Sequence, residues 1–303
     1  MNDLFGISFS EKALHFVHIR EGNLNAAEAI PYPIPIEISE LFSEQSMGVM
    51  AEIIRNKKNE YGLEAVDLNI ALPSKYAFLK KVAVPIDEEK DIVVEHMKWD
   101  LDTYLPDKLE NYKVIKTEIE YDLTSYKEIL VICISKTIIQ RLLSLADKSE
   151  TALKELLLDT FSLERFLKNH NYLSPSSNVA VFSLDTLDIK TDFFINGKYY
   201  LTITEPYYGK SKDVPLEERI KDIAKQHLGK IESHISFAPF VKEDQVSLLV
   251  QGTGLNEEIF YSLQNAFSQE LTRIPSPEQT VGILNNDNFN LYALGVVNYR
   301  ISI

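Results

Sequence analysis

The fold is indicated by one stretch near the start of the chain, LFGISFSEKALHFVHI at Leu4–Ile19. It contains two apolar runs, Leu4–Phe9 and Ala13–Ile19, which a short polar turn separates. This pattern is typical of two paired β-strands. A second turn, Glu21–Asn23, leads into a third apolar run, Leu24–Ile30. The stretch therefore predicts an antiparallel three-stranded meander.

The same pattern returns about 175 residues further along the chain. Strands are predicted at Val179–Leu184, Asp188–Ile195 and Lys198–Ile203. The last two are joined by Asn196-Gly197, which favours a tight hairpin because both turn positions need a positive φ. Two meanders of the same kind predict a duplicated, two-lobed architecture.

Composition and charge disfavour several classes of function for this chain. The chain has 303 residues, a net charge of −14 and a pI near 5.0, which disfavours nucleic acid and direct docking on an anionic membrane. Cys133 is the single cysteine, so no intrachain disulfide is expected. No two histidines have the spacing of helical metal ligands, and no metal site is expected. Met1-Asn2-Asp3 does not resemble a signal peptide, and a cytoplasmic protein is predicted.

The segment between the meanders predicts a compact insertion. A helix at Glu44–Asn59 and a strand at Val66–Ala71 come first. Phe78–Ala146 then follows a strand, helix, strand, strand, helix pattern, which is sufficient for a small α+β subdomain. Its first helix is predicted to start at an Asp87 cap and to end at Leu105-Pro106. The predicted domains are residues 1–77, the first lobe; 78–146, the inserted subdomain; 147–175, the return to the first lobe; and 176–303, the second lobe.

The second lobe is predicted to carry few additions. Pro215 and Gly229 are expected to bracket one helix, and a further helix is expected from Asn256 through Gln269. A last helix is predicted near Leu291–Val297, with the option that it packs on the first lobe. Only 40 residues, Pro206–Gln245, connect the second meander to the next strand.

The order of these elements resembles the two-lobed actin-like ATPase fold, a ribonuclease H-like α/β fold. Within it the chain is most similar to the type IV pilus assembly protein PilM family, itself similar to the cell-division protein FtsA. Three stretches carry the resemblance: Trp99–Pro106, Leu156–Arg165 and Leu291–Val297. The resemblance implies an inserted subdomain in the first lobe, and the short connection implies a reduced subdomain in the second.

The two turns that hold phosphate in such proteins depart from the family pattern. Gly6 is kept, but Ser8 stands where the family has the aspartate that holds Mg²⁺ through water, and Ser10 stands where it has a glycine. Glu11 then places a carboxylate where phosphate is expected. The second turn has Ser183-Leu184-Asp185 in place of Asp-x-Gly.

The adenosine turn of the family is matched by Gly252 and Gly254. A lone Gly-x-Gly is weak evidence, and a structural strand-to-helix turn is the favoured interpretation. Gly6, Gly252 and Gly254 are therefore interpreted as remnants of a nucleotide site. The prediction is a pseudo-ATPase with no catalytic residues and no cofactor. An ATP-binding protein with relocated ligands, and an actin-fold adaptor of another pathway, both stay open as alternatives.

The resemblance also implies a partner. PilM-like proteins hold a short N-terminal cytoplasmic peptide of a single-pass, PilN-like membrane protein in a groove between the first lobe and the inserted subdomain. The predicted role is thus a scaffold of a type IV pilus or type II secretion-like inner-membrane platform, held at the membrane only through its partner. Homo-oligomerisation stays open. The candidate contact residues are Trp99, Asp102, Tyr104, Leu105 and Pro106. One of Trp99 and Tyr104 is expected in the core, and the competing interpretation is that Tyr104 and Leu105 simply close the core of the subdomain.

Overall fold

The predicted first meander forms one side of a five-stranded sheet. The computed structural model describes residues 3–34, 36, 40–85, 98–99, 101–119, 126–185, 187–207, 214–237, 245–275 and 289–298. The strands of this sheet are β1 Asp3–Phe9, β2 Ala13–Arg20, β3 Asn23–Pro31, β4 Val66–Leu72 and, later in the chain, β8 Ala152–Leu158. Their order is β3-β2-β1-β4-β8, and β4 lies parallel to both β1 and β8. Pro31 ends β3.

The second five-stranded sheet repeats this arrangement. Its strands are β9 Asn178–Leu184, β10 Asp188–Ile195, β11 Lys198–Pro206, β12 Val246–Gln251 and β13 Leu271–Arg273. Their order is β11-β10-β9-β12-β13, so β9, β10, β11 and β12 occupy the places of β1, β2, β3 and β4. The predicted hairpin turn is confirmed, because Asn196 and Gly197 have φ angles of 49° and 70°. We call the parts built on these two sheets the first and the second lobe.

A third, three-stranded sheet belongs to the predicted insertion. It is built from β5 Ala77–Pro85, β6 Tyr112–Ile119 and β7 Tyr126–Ser135, all antiparallel, in the order β5-β7-β6. Leu130, Ile132 and Ile134 on one face belong to the large core cluster that the first lobe shares with part of the second, whereas Val131 and Cys133 on the other face belong to a small separate cluster. The insertion was expected to have a core of its own. Because alternate residues of β7 point to opposite faces, only half of its apolar side chains form one.

Six labelled helices complete the described part of the chain. They are α1 Glu44–Glu60, α2 Lys136–Lys148, α3 Asp159–Asn169, α4 Leu216–Phe237, α5 Glu257–Gln264 and α6 Tyr292–Val296. Ser43 caps α1 by accepting a hydrogen bond from the Ser46 amide, and Met47, Met50 and Ile54 are buried. Residues 98–99 and 101–104 are also helical, but the predicted start of that helix at Asp87 lies outside the described residues.

Two predicted helix ends are wrong. α4 runs through Gly229 to Phe237, because Ile223 and Ile231 are buried on either side of Gly229 and their burial outweighs the roughly 1 kcal/mol cost of an interior glycine. α5 ends at Gln264 rather than Gln269. The chain after it forms β13, which pairs in parallel with β12 and satisfies its backbone groups in the sheet instead.

Two glycines bring the last helix close to the first lobe. A Cβ atom at Gly295 of α6 would lie 1.9 Å from the Ser162 carbonyl oxygen of α3. A Cβ atom at Gly6 of β1 would lie 2.6 Å from the Ala293 carbonyl oxygen of α6. Both distances are far below van der Waals contact, so α6 reaches this position only because these residues have no side chain. The domain boundaries inferred from the sequence stay a prediction.

Candidate functional site

A cleft lies where the two five-stranded sheets meet. Strands β1 and β4 are parallel, as are β9 and β12, so the carboxyl ends of each pair lie at the same edge of their sheet. The segments after these strands line the cleft together with the start of α3 and part of β10. The cavity measures about 60 Å³, whereas pockets for small molecules usually measure about 300–1,000 Å³.

The turn between β1 and β2 is tied to the segment before α6. Ser8 donates a hydrogen bond through Oγ to Asn290 Oδ1 at 2.5 Å. The Asn290 amide donates to His15 Nδ1 at 3.3 Å, and His15 Nε2 lies 3.1 Å from Ser10 Oγ. Because Nδ1 accepts a hydrogen bond from a backbone amide, the neutral imidazole carries its proton on Nε2. Burial lowers the pKa of His15 to about 4, so the ring is neutral near pH 7 and supplies no positive charge to the cleft.

Glu11 carries its carboxylate into the cleft lining beside Asp185 and Asp188. Burial, followed by the charge of Asp185, raises the pKa of Glu11 from 4.5 to about 7. Lys75 acts in the opposite direction but does not cancel these effects. Burial also raises the pKa of Asp188. The cleft therefore concentrates carboxyl groups from both lobes, and each one that is ionised repels phosphate.

The turn after β12 is closed against the turn after β9. The Gly254 amide donates to the Leu184 carbonyl at 3.1 Å, and Thr253 Oγ1 donates to Asp185 Oδ1 at 2.9 Å. Gly252 has a φ of +120°, and a Cβ atom there would lie 2.1 Å from the Leu184 carbonyl oxygen. A Cβ atom at Gly254 would lie 2.5 Å from the Asp185 carbonyl oxygen. These glycines permit the two turns to touch, which is a structural role.

A buried ion cluster joins the lobes at the base of the cleft. Lys190 Nζ of β10 lies 2.9 Å from Asp159 Oδ2 at the start of α3 and 3.0 Å from Asp192 Oδ2. Asp192 Oδ1 accepts hydrogen bonds from Thr160 and Thr202, each at 2.7 Å. Burial disfavours the charge of Lys190, but the two carboxylates outweigh burial and hold the pKa of Lys190 well above its usual value. The ammonium group thus neutralises acidic side chains from both lobes.

Sequence reasoning missed most of this cluster. Asp159 was noted only as part of a resemblance, and Lys190 and Asp192 were not singled out. A signal was present, since the two residues stand two apart on a strand that is otherwise largely apolar, which places opposite charges on one face of the sheet. The partner from α3 is 31 residues away from Lys190 in sequence, and no local pattern connects them.

Comparison with known proteins settles the fold. No protein-family model matches the sequence, and no curated protein matches it. A solved structure from Bacteroides thetaiotaomicron, described as a protein with an actin-like ATPase fold and unknown function, superposes with a TM-score of 0.52 at 14% identity, covering 98% of this chain and 95% of that one. The chain has an actin-like fold.

Two further structures share this fold, one from a pilus biogenesis complex and one from a secretion system. A PilM-PilN type IV pilus biogenesis complex superposes with a TM-score of 0.68 at 14% identity, covering 97% of each chain. The cytoplasmic domain of EpsL, an inner-membrane component of the type II secretion system of Vibrio cholerae, superposes with a TM-score of 0.51 at 9% identity, covering 98% of this chain and 94% of that one. At these identities the likeness establishes the actin-like fold of this chain.

The candidate contact residues of the inserted part lie between residues 99 and 106, of which 99 and 101–104 are helical. Leu105 is buried and, with Leu101, covers Val131 and Cys133 of β7. Trp99 and Tyr104 are 72% and 60% exposed, so the expectation that one of them is in the core is wrong. The core of the insertion is already covered by the leucines, which leaves both aromatic rings outside. Tyr104 likewise does not close the subdomain core, and that part of the competing interpretation is also wrong.

The same segment presents polar groups next to its aromatic rings. Asp102 and Pro106 are exposed. Lys80 Nζ of β5 lies 3.8 Å from the centroid of the Tyr104 ring. We call the surface formed by Trp99, Asp102, Tyr104 and Pro106 the aromatic surface. It presents large aromatic rings, which are enriched where proteins bind partners.

Gly6 was interpreted as a remnant of a nucleotide site, but it packs against α6 and does not line the cleft. Among the residues that the structure describes, no group of three histidine, cysteine, aspartate or glutamate side chains is arranged to hold a metal ion. Along the same described ranges, no helix is both long and apolar enough to cross a membrane.

Proposed function

We propose that this chain is a non-catalytic scaffold of a pilus or type II secretion-like inner-membrane platform, which binds a short cytoplasmic peptide of a membrane partner. The observation that carries the proposal is the state of the cleft. The turn after β12 bonds to the turn after β9 through Thr253 and Gly254, and Ser8 bonds to Asn290. Glu11 and Asp185 place carboxyl groups where the resemblance expects phosphate. These contacts support a role that does not use nucleotide.

The residues present do not fit a magnesium nucleotide. A phosphate brought within ~4 Å of an ionised carboxylate near the surface is repelled by roughly 1–4 kcal/mol. In the described part of the chain two lysines line the cleft, Lys75 and Lys190, and both already have acidic partners. Lys190 lies beside Asp159 and Asp192, and Lys75 lies 3.7 Å from Asp188. The cavity of about 60 Å³ leaves room for little more than water. We therefore derive no catalytic step for this cleft.

The nucleotide part of the proposal is tested by a melting experiment with MgATP. A ligand that binds only the folded state at one hundred times its Kd stabilises it by about 2.7 kcal/mol. We expect no change in Tm at millimolar MgATP. A rise of several degrees that is lost in Thr253→Arg would overturn the proposal and favour an ATP-binding protein with relocated ligands. Thr253 is chosen because it lines the cleft and, unlike Gly252, does not need a positive φ.

The aromatic surface is the proposed partner site. Tyrosine and tryptophan are the residues most often responsible for binding energy at interfaces, and exposed Asp102 offers a carboxylate to an arginine or lysine of the peptide. The two likenesses to proteins of pilus and secretion assemblies are consistent with a membrane-bound partner. The proposed peptide is therefore short, apolar in part and basic.

This site is tested with synthetic N-terminal peptides of single-pass membrane proteins encoded beside this gene. Tyr104→Ala and Asp102→Lys are each expected to weaken peptide binding by more than ~1 kcal/mol, a common threshold for an important contact. Tyr261→Ala is the matched control, because Tyr261 on α5 is also 60% exposed. If a peptide binds and all three variants bind it like the wild type, the partner site is not the aromatic surface.

A further inference from the structure

Glu11 carries its carboxyl group toward acidic side chains of the other lobe. It lies in the turn between β1 and β2 of the first lobe, whereas Asp185 and Asp188 lie where β9 turns into β10 in the second. All three residues line the cleft. The walls of the cleft belong to both lobes, so the separation of these carboxyl groups depends on how closely the lobes approach each other.

One oxygen of Glu11 has no hydrogen-bond donor. Oε1 is buried and accepts no hydrogen bond from any residue that the structure describes. Two donors that interact with Glu11 are engaged with other acceptors, since Tyr207 donates its hydroxyl to the Asp185 carbonyl and Lys75 lies 3.7 Å from Asp188. Burying a carboxylate without a donor is costly, so this position favours the neutral acid.

Titratable groups surround Glu11 from both lobes. Those that interact with it are Lys12, Lys75 and Tyr76 of the first lobe and Asp185, Asp188 and Tyr207 of the second. Burial, followed by the charge of Asp185, outweighs the two lysines and raises the pKa of Glu11 to about 7. Burial lowers the pKa of His15, on which Asp185 also acts, to about 4. Glu11 therefore changes its charge near neutral pH, while His15 stays neutral there.

We propose that Glu11 is a pH-sensitive switch of the cleft, which is closed while Glu11 is neutral and opens when the carboxylate forms opposite Asp185. Repulsion between like charges falls with distance, and an open cleft lets water reach Oε1, so both effects favour separation of the two turns. The buried ion cluster of Lys190, Asp159 and Asp192 holds the lobes together at the base of the cleft. The closed form binds the proton more tightly, so closure weakens as pH rises through the pKa of Glu11.

Amide hydrogen exchange at the contact between the lobes tests the switch, because exchange reports on local opening. The segment before α6 joins the lobes, since the Asn290 amide donates to His15 Nδ1 in the first lobe and the Leu291 amide donates to Gln251 Oε1 in the second. Opening of the cleft exposes both amides. At pH 6 we expect the same exchange rates in the wild type and in Glu11→Gln. At pH 8 we expect exchange at least tenfold faster in the wild type.

Two variants and one amide serve as controls. Glu21→Gln removes the same charge from the exposed turn between β2 and β3 and is expected to exchange like the wild type at both pH values. Asp185→Asn keeps a side-chain oxygen for Thr253 Oγ1 but removes the repelling charge, so it is expected to exchange like Glu11→Gln. The Gly254 amide, which bonds within the second lobe, is expected to exchange equally in the wild type and every variant.

Several results would overturn this inference. They are equal rates in the wild type and Glu11→Gln at pH 8, a difference at pH 6 as large as that at pH 8, wild-type rates in Asp185→Asn, or an equal acceleration at Gly254, which would indicate global unfolding. The wild type alone supplies an independent measurement if a variant does not fold. Protection of its Asn290 and Leu291 amides, corrected for the intrinsic exchange rate, is expected to fall tenfold from pH 6 to pH 8, and constant protection would contradict the switch.

Discussion

Replacing Lys190 by methionine is the perturbation whose energy is best defined by the structure. The change keeps the length of the side chain and removes its charge. It leaves Asp159 and Asp192, whose oxygens lie 2.9 and 3.0 Å from Nζ in the wild type, buried without their cation. Removing one member of a buried ion pair typically costs roughly 3–5 kcal/mol, because an uncompensated charge remains in the interior. We expect a loss of that size in the free energy of unfolding.

Urea denaturation followed by circular dichroism measures this loss. Lys154→Met is the control, since Lys154 also pairs with an aspartate, Asp67, at 2.7 Å but is 62% exposed, and an exposed pair contributes about 0–1 kcal/mol. Adding Asp159→Asn and Asp192→Asn to Lys190→Met is expected to recover part of the loss, because the stranded charges are then gone. A loss below about 1 kcal/mol for Lys190→Met, equal to that of the control, would refute the reasoning.

Two further predictions concern a close helix contact and a titrating carboxyl group. Gly295→Ala is expected to destabilise the fold by ~1–3 kcal/mol or more, because its Cβ would lie 1.9 Å from the Ser162 carbonyl oxygen. Gly229→Ala is the control, because a Cβ there meets nothing within 4 Å, and it is expected to stabilise α4 by up to ~1 kcal/mol. Urea denaturation measures the free energy of unfolding of both variants. An equal change in the two variants would contradict the close contact at Gly295. The pKa of Glu11 is raised from 4.5 to about 7 on folding, so the folded state binds this proton more tightly and the wild type loses stability relative to Glu11→Gln as pH rises through that window. A difference in the free energy of unfolding between wild type and Glu11→Gln that stays constant with pH would contradict the raised pKa.

The repeated meanders could be predicted because their determinants are local. Strand alternation, the Asn196-Gly197 turn and the polar breaks at Glu21 and Asp185 lie within a few residues of the strands they bound. Helix ends were less predictable. Gly229 is an end signal in sequence, but burial of side chains on both sides keeps α4 continuous. That burial depends on the packing of α4 against the rest of the second lobe, which the sequence around Gly229 does not reveal.

The candidate site was predictable only in part. The resemblance indicated the turns that hold Glu11 and Asp185, and both line the cleft. It could not indicate that Ser8 bonds to Asn290, 282 residues away, because no local pattern encodes such a distant contact. Only one of Trp99 and Tyr104 was expected outside the core, and both are exposed, since helical spacing alone does not tell which side of a short segment the leucines will take.

The central claim is that this chain binds a partner peptide without using nucleotide. The most direct measurement is the Kd of a membrane partner's N-terminal peptide for the full chain, by fluorescence anisotropy, with and without millimolar MgATP. Sites that are coupled typically change each other's affinity by about 1–3 kcal/mol. The account predicts binding with the same Kd in both conditions, and a Kd that shifts tenfold, or about 1.4 kcal/mol, when MgATP is added would contradict it.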